Sequence, residues 1–140
     1  DNRVNIINAD LNDDLDYFKT KSFDYVILAQ SLQVVESPIK LIKEMLRVGD
    51  EAIISFPNMG YWKSRLYLLL KGEMPVTDEL PYNWHSTPNI HLCTISDFKK
   101  MCEINKFKII DEVINNISGK DISSKYLSNF FGVSAIFRIR

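Results

Sequence analysis

Two apolar runs flank one amphipathic helix between Ser22 and Phe56, and nothing else constrains the fold as much. The runs are Ser22–Ala29 (SFDYVILA) and Glu51–Phe56 (EAIISF). Each is nearly continuous, as a strand covered on both faces reads. Between them, Ser37 is an N-cap and Pro38 the first helical residue. Ile39, Ile42, Met45 and Leu46 recur at spacings of three and four and predict the buried face. Lys40, Lys43 and Arg47 are expected to face water, and Gly49 to end the helix. Strand, helix and strand within so few residues require a right-handed parallel crossover.

The flanking sequence extends this plan. Val4–Asn8 (VNIIN) predicts a further strand, and Asn12 to Phe18 a turn of helix. Asn58 is a plausible cap for a helix from Gly60 to Leu70, closed by Gly72. Thr94-Ile95-Ser96-Asp97 predicts an acidic capping box, followed by a helix with Phe98, Met101 and Cys102 on one face. Phe107–Ile114 reads as a strand and Asn115 to Ser128 as a polar loop with one helical turn. Val133, Ala135, Phe137 and Ile139 alternate with Ser134, Ile136 and Arg138, which predicts a last strand. No clear helix precedes it, so it is expected to run antiparallel. The expectation is one α/β domain, its sheet mostly parallel with the last strand antiparallel. Ligands on such sheets sit outside the carboxyl ends of the strands. Those ends are Asp10, Ala29 to Ser31, and Phe56 to Asn58.

Composition narrows the function classes. The 140 residues carry a formal net charge of -1, which makes no electrostatic case for nucleic acid. No apolar run reaches the roughly 18 residues of a membrane span. Cys93 and Cys102 are too few for a disulfide scaffold and read as thiols in a reducing, cytoplasmic setting. The chain begins with Asp1 rather than Met.

The segment from Phe56 to Phe98 is the chemically dense one. It holds both tryptophans, both histidines and four of the five prolines. Ordered loops of this length are uncommon and usually functional. Tyr82, Trp84, His85, Asn89 and His91 are its candidates for a pocket. A general base would most naturally be a histidine, yet the spacing reveals neither a relay partner nor a nucleophile. His85, His91 and Cys93 match no zinc-ligand spacing, so no metal is expected. Tyr61, Trp62, Arg65, Tyr67 and Leu68 to Leu70 form an amphipathic stretch, read as a helix packed on its own domain, with an interaction surface as the alternative.

Ala9-Asp10 after a strand, then SFDYVILAQSLQVV, then SPIKLIKEMLRVGDEAIISFPN, resembles the second part of a class I S-adenosylmethionine-dependent methyltransferase. The block FPNMGYWKSRLYLLLKGEMPVTDELPYNWHSTPNIHLCTISDF narrows the resemblance to the MetW family of methionine biosynthesis proteins. The resemblance implies a Rossmann-like sheet, with residues 1–140 forming the C-terminal part of one domain. It implies that the Asp10 carboxylate accepts from the adenine amine while the Leu11 amide meets the ring. The competing reading of Asp10 is a solvated residue starting a turn. Gln30 and Ser31 would touch cofactor or acceptor, or simply cap the segment that follows. Pro57 and Asn58 would stand at the acceptor side, with helix capping as the competing role for Asn58. Tyr82, Trp84 and His91 would line the substrate pocket.

The same resemblance places a glycine-rich cofactor loop and an acidic ribose-binding residue before residue 1. The five glycines here are scattered. Weak or no S-adenosylmethionine binding is therefore expected of these residues alone, and the Val4 strand is expected to leave an open edge. Two functions follow from the resemblance. One is methyl transfer to an unidentified acceptor. The other is a non-catalytic role as activating partner of a homoserine O-acyltransferase.

Overall fold

The amphipathic run after Ser37 folds as α1 (Pro38–Val48), with Ser37 at the N-cap and Pro38 opening the first turn. The computed structural model describes residues 8, 10–12, 15–122 and 127–140. Around α1 stand β1 (Phe23–Ala29) and β2 (Gly49–Pro57). Then come α2 (Trp62–Lys71), α3 (Ile95–Asn105), β3 (Ile109–Asn115), a short α4 (Ser128–Phe131) and β4 (Ser134–Ile139). The strand expected over Val4–Asn8 and its open edge lie outside the described residues, Asn8 apart. Residues 15–18 form turns rather than the expected helical turn.

The four strands run in the order β1-β2-β4-β3. β1 pairs with β2 in parallel, so the crossover is confirmed. β4 runs antiparallel to both β2 and β3, as expected of the last strand. The expectation of a mostly parallel sheet is corrected. β4 inserts between β2 and β3, so two of the three ladders are antiparallel although β1, β2 and β3 share one direction.

One face of the sheet carries the core. Ala52, Ile54 and Phe56 on β2 sit opposite Ile139, Phe137 and Ala135 on β4. Leu41, Ile42 and Met45 of α1 and Ile95, Phe98 and Cys102 of α3 join them in a single buried cluster. The rings of Phe98 and Phe137 lie 4.6 Å apart and those of Phe56 and Phe98 4.9 Å apart. Such pairs add about 0.5–1.5 kcal/mol each beyond area burial. Three positions of α1 depart from the helical reading. Ile39 is exposed while Leu41 is buried. Arg47 does not point freely to water: its guanidinium donates to the main-chain oxygens of Leu15 and Phe18 and pairs with Glu44, so it fastens the preceding turns to α1.

The opposite face is open. Tyr25 and Ile27 of β1 are 52% and 67% exposed. This corrects the reading of β1 as a strand covered on both faces. Among the described residues β1 pairs only with β2, so its other edge carries unpaired main-chain groups beside apolar side chains. An apolar groove of about 270 Å³ runs beside that edge, lined among others by Leu11, Leu15, Phe18, Val26 and Met45.

Candidate functional site

The carboxyl ends of β1 and β2 lie side by side because the strands are parallel neighbours. β1 leads into Gln30, which takes a left-handed backbone at φ 51°. That turn is held by Ser55 of β2: the Gln30 amide donates to the Ser55 main-chain oxygen at 3.1 Å and to Oγ at 3.0 Å. A non-glycine residue in this region is uncommon and typically sits where surrounding structure dictates its conformation. The chain then makes a 3-10 turn over Leu32–Val34 and reaches Glu36.

This 30–36 segment joins the other two parts of the site. On one side, Asn12 Oδ1 accepts from the Glu36 amide at 2.9 Å. Asn12 in turn donates twice to Asp10 Oδ1, from its amide at 2.9 Å and from Nδ2 at 3.1 Å. Asp10 therefore stands in a fixed Asx turn docked beside the start of α1. On the other side, the amides of Ile90 and His91 donate to the Gln33 carbonyl at 2.8 and 3.0 Å. His91 Nε2 lies 3.2 Å from the Glu36 carbonyl oxygen. A carbonyl only accepts, so Nε2 is the donor in this contact. Asp10, Gln30 and His91, far apart in sequence, are thus brought together around one short segment. Leu11 is partly exposed and lines the groove beside β1.

Behind His91 lies a largely apolar pocket of about 140 Å³, lined among others by Leu32, Gln33, His91, Cys93 and Met101. Gln33 Oε1 is buried without a hydrogen-bond partner among the described residues, while Nε2 donates to the Gln30 carbonyl. Burial pushes the Cys93 thiol up to about 12, with the Asp97 charge adding to it, and burial alone pushes Cys102 up to about 11. Neither is a thiolate nucleophile near neutral pH.

Asn58 is 4% exposed and saturated with structural bonds. Its Nδ2 donates to the main-chain oxygens of Gly132 at 2.7 Å and Asn129 at 3.1 Å. Its Oδ1 accepts from the amides of Gly60 at 2.9 Å and Ile95 at 3.2 Å. The expected cap of the following helix is corrected: α2 starts at Trp62, and Asn58 Oδ1 instead takes an amide at the start of α3. The capping box at Thr94 and Asp97 is present in both directions. Tyr82 and Trp84 are exposed, the latter with its ring packed edge-on against His85 at 5.6 Å. Neither is joined to the Asp10–His91 cluster by a hydrogen bond. A separate cleft of about 280 Å³ opens between α2 and residues 75–79, with Tyr61, Lys63, Tyr67 and Thr77 among its walls. Gln33 and Glu36 organise the site through their main-chain atoms, which no residue-type pattern announces.

Among the described residues no group of three His, Cys, Asp or Glu side chains could hold a metal ion. No helix among them is long and apolar enough to cross a membrane.

Comparison with known proteins gives this arrangement a context. The bifunctional methionine biosynthesis protein MetXA/MetW of Rhodopirellula baltica is 42% identical over 113 residues. The match covers 79% of this chain and 18% of that protein. A solved S-adenosylmethionine-dependent methyltransferase from Thermotoga maritima aligns with a TM-score of 0.58 at 16% identity, over 87% of this chain and 57% of its own. A chain from the complex of the Haloferax volcanii Trm112 methyltransferase activator with its methyltransferase gives 0.55 at 10% identity, over 94% and 58%. The chain therefore spans under a fifth of its curated relative and a little over half of these structures. At such identities the structures establish the fold alone: an α/β domain with a four-stranded mixed sheet like that of methyltransferases. The family described as methionine biosynthesis protein MetW matches residues 1–139. The chain belongs to the MetW family.

Proposed function

We propose that this protein serves methionine biosynthesis as an S-adenosylmethionine-responsive partner of homoserine O-acyltransferase. The observation that carries this reading is how the polar groups at the strand ends are spent. Asn58 has all four of its side-chain bonds made within the fold. Both cysteines are held as neutral thiols. That is the pattern of a binding module rather than of a poised acid–base site. The partner is supported by the Rhodopirellula baltica relative, whose name joins MetXA and MetW in one chain.

The residues present suit part of S-adenosylmethionine. Both bonds from Asn12 use Asp10 Oδ1, Oδ2 takes none among the described residues, and a carboxylate suits the exocyclic amine of adenine because it only accepts. Gln30, at the next strand end, offers a donor and an acceptor. The sequence holds no glycine-rich turn between strand and helix for the methionine part. The described residues therefore supply one wall of such a site and no reaction step.

The test has two arms on the whole protein. Calorimetry with S-adenosylmethionine measures binding, with Asp10→Ala expected to weaken it. Acyltransferase rate is then measured with and without this protein. An unchanged rate together with separate elution of the two proteins would remove the partner reading. Methyl transfer is the second reading, favoured by the 280 Å³ cleft between α2 and residues 75–79 as room for an acceptor. Acceptor-dependent formation of S-adenosylhomocysteine would establish it instead.

A further inference from the structure

Helix α2 is built inside out. Its one buried residue is Ser64. The helix is anchored near its start, where the Arg65 side chain donates to the Gly60 carbonyl. At about 100° per residue, Trp62, Leu66, Leu69 and Leu70 fall on the side opposite Ser64. Leu69 and Leu70 are 80% and 71% exposed, and Leu66 and Leu68 are exposed as well. The expectation that this helix packs its apolar side on its own domain is therefore overturned among the described residues. A ten-residue helix is also too short to be stable in water by itself. Its apolar stripe needs a cover.

We infer that the Trp62–Leu66–Leu69–Leu70 stripe of α2 is the surface on which the homoserine O-acyltransferase docks. The inference rests on the partner reading above and adds the surface that executes it. Three observations support it. Leu66, Leu69 and Leu70 lie opposite the anchored face and are exposed, with Trp62 half-buried at the start of the stripe. Met74 and Val76, just beyond the helix, are exposed too and add apolar surface after its C-terminal end. The Lys63 ammonium sits 5.9 Å from the Trp62 ring, giving the stripe a charged border of the kind that rims protein interfaces. In the fused relative this module and MetXA are obliged to be neighbours, which is the arrangement a permanent apolar contact exploits.

The experiment uses the whole protein and the purified homoserine O-acyltransferase of the same genome. Leu69→Glu combined with Leu70→Glu is compared with the milder Leu69→Ser/Leu70→Ser pair. Ile104→Glu, at an exposed apolar position of α3, is the control. Affinity is expected to fall about 30-fold or more in the glutamate pair, as for buried anchors of an interface, and by a smaller factor in the serine pair. Ile104→Glu should bind as wild type, and all variants should keep the wild-type melting temperature. Unchanged affinity in the glutamate pair overturns the inference. A lowered melting temperature in both Leu69/Leu70 pairs also overturns it, since the stripe is then covered by this protein's own chain. Dissociation of a wild-type homodimer by either pair overturns it in favour of a second copy. If the wild-type protein does not bind the acyltransferase, the partner reading itself fails. Binding that survives the substitutions removes only the docking surface.

Discussion

Replacing Asn58 should cost more than any other single polar change in this chain. Asn58→Ala removes four hydrogen bonds at once and strands their partners: the carbonyls of Asn129 and Gly132 and the amides of Gly60 and Ile95. A buried hydrogen bond contributes about 1 kcal/mol net, and a stranded buried group costs about 1–3 kcal/mol. Some of the stranded groups will recover water as the site relaxes, so the expected loss is about 3–5 kcal/mol. For a chain of this size that lowers the melting temperature by about 10–17 °C. Asn58→Asp sharpens the test. It keeps both acceptor bonds but turns carboxylate lone pairs toward two carbonyls, at 2.7 and 3.1 Å in the wild type. Burial and those carbonyls raise the pKa of the new carboxyl in the folded state. The stability of the variant is therefore fullest below the ordinary carboxyl pKa of about 4, and falls by up to about 1.4 kcal/mol per pH unit as pH rises toward the folded value. Urea unfolding followed by far-UV circular dichroism at pH 4, 5.5 and 7 measures both effects. If Asn58→Ala unfolds within about 1 kcal/mol of wild type, and Asn58→Asp shows the wild-type pH profile, the staple argument is wrong.

Three further outcomes are expected. Thr94→Ala removes the side-chain half of the α3 capping box and should cost about 1 kcal/mol by thermal melting, with Thr94→Ser nearly neutral. Gly132→Ala places a methyl group against Ile114 Cγ2 and 2.5 Å from the Ser128 carbonyl oxygen, and should destabilise by about 1–3 kcal/mol in urea titrations. Because the folded-state pKa of Cys93 is raised to about 12 from 9.0, its stabilising contribution is complete below pH 9 and is lost as pH rises from there. Melting curves between pH 8 and 10.5 should accordingly fall less steeply for Cys93→Ala than for wild type.

What could be read from the sequence follows the physics of each signal. The crossover from β1 through α1 to β2 was legible because local period and caps agree there. The Thr94–Asp97 box is equally local, and so is Gly72, whose left-handed φ of 67° ends α2. The pairing of β4 between β2 and β3 was not legible, since alternation along Ser134–Ile139 says which face is buried but not which strands are neighbours. β1 illustrates the reverse error: its apolar run was read as burial on both faces, whereas one face is open among the described residues. The site was legible only as residue types. That Asn12, which holds Asp10, and His91 converge on Glu36 depends on main-chain atoms of residues 33–36. Asn58 was named for a pocket or a helix cap, and its actual partners lie 37 to 74 positions away in sequence, apart from Gly60.

The placement of β4 also sets an order of events during synthesis. β3 precedes β4 in the chain but reaches the sheet only through it. As the ribosome releases residues 109–115, that strand finds no docking edge, because its future neighbour has not been made. Half of the sheet must wait for residues 134–139 to slide between β2 and β3, closing a ladder to a strand about 80 positions earlier. Late closure of this kind leaves the nascent sheet dependent on residues 134–139. A ribosome that stalls or a protease that trims just before Ser134 would release two strands rather than one.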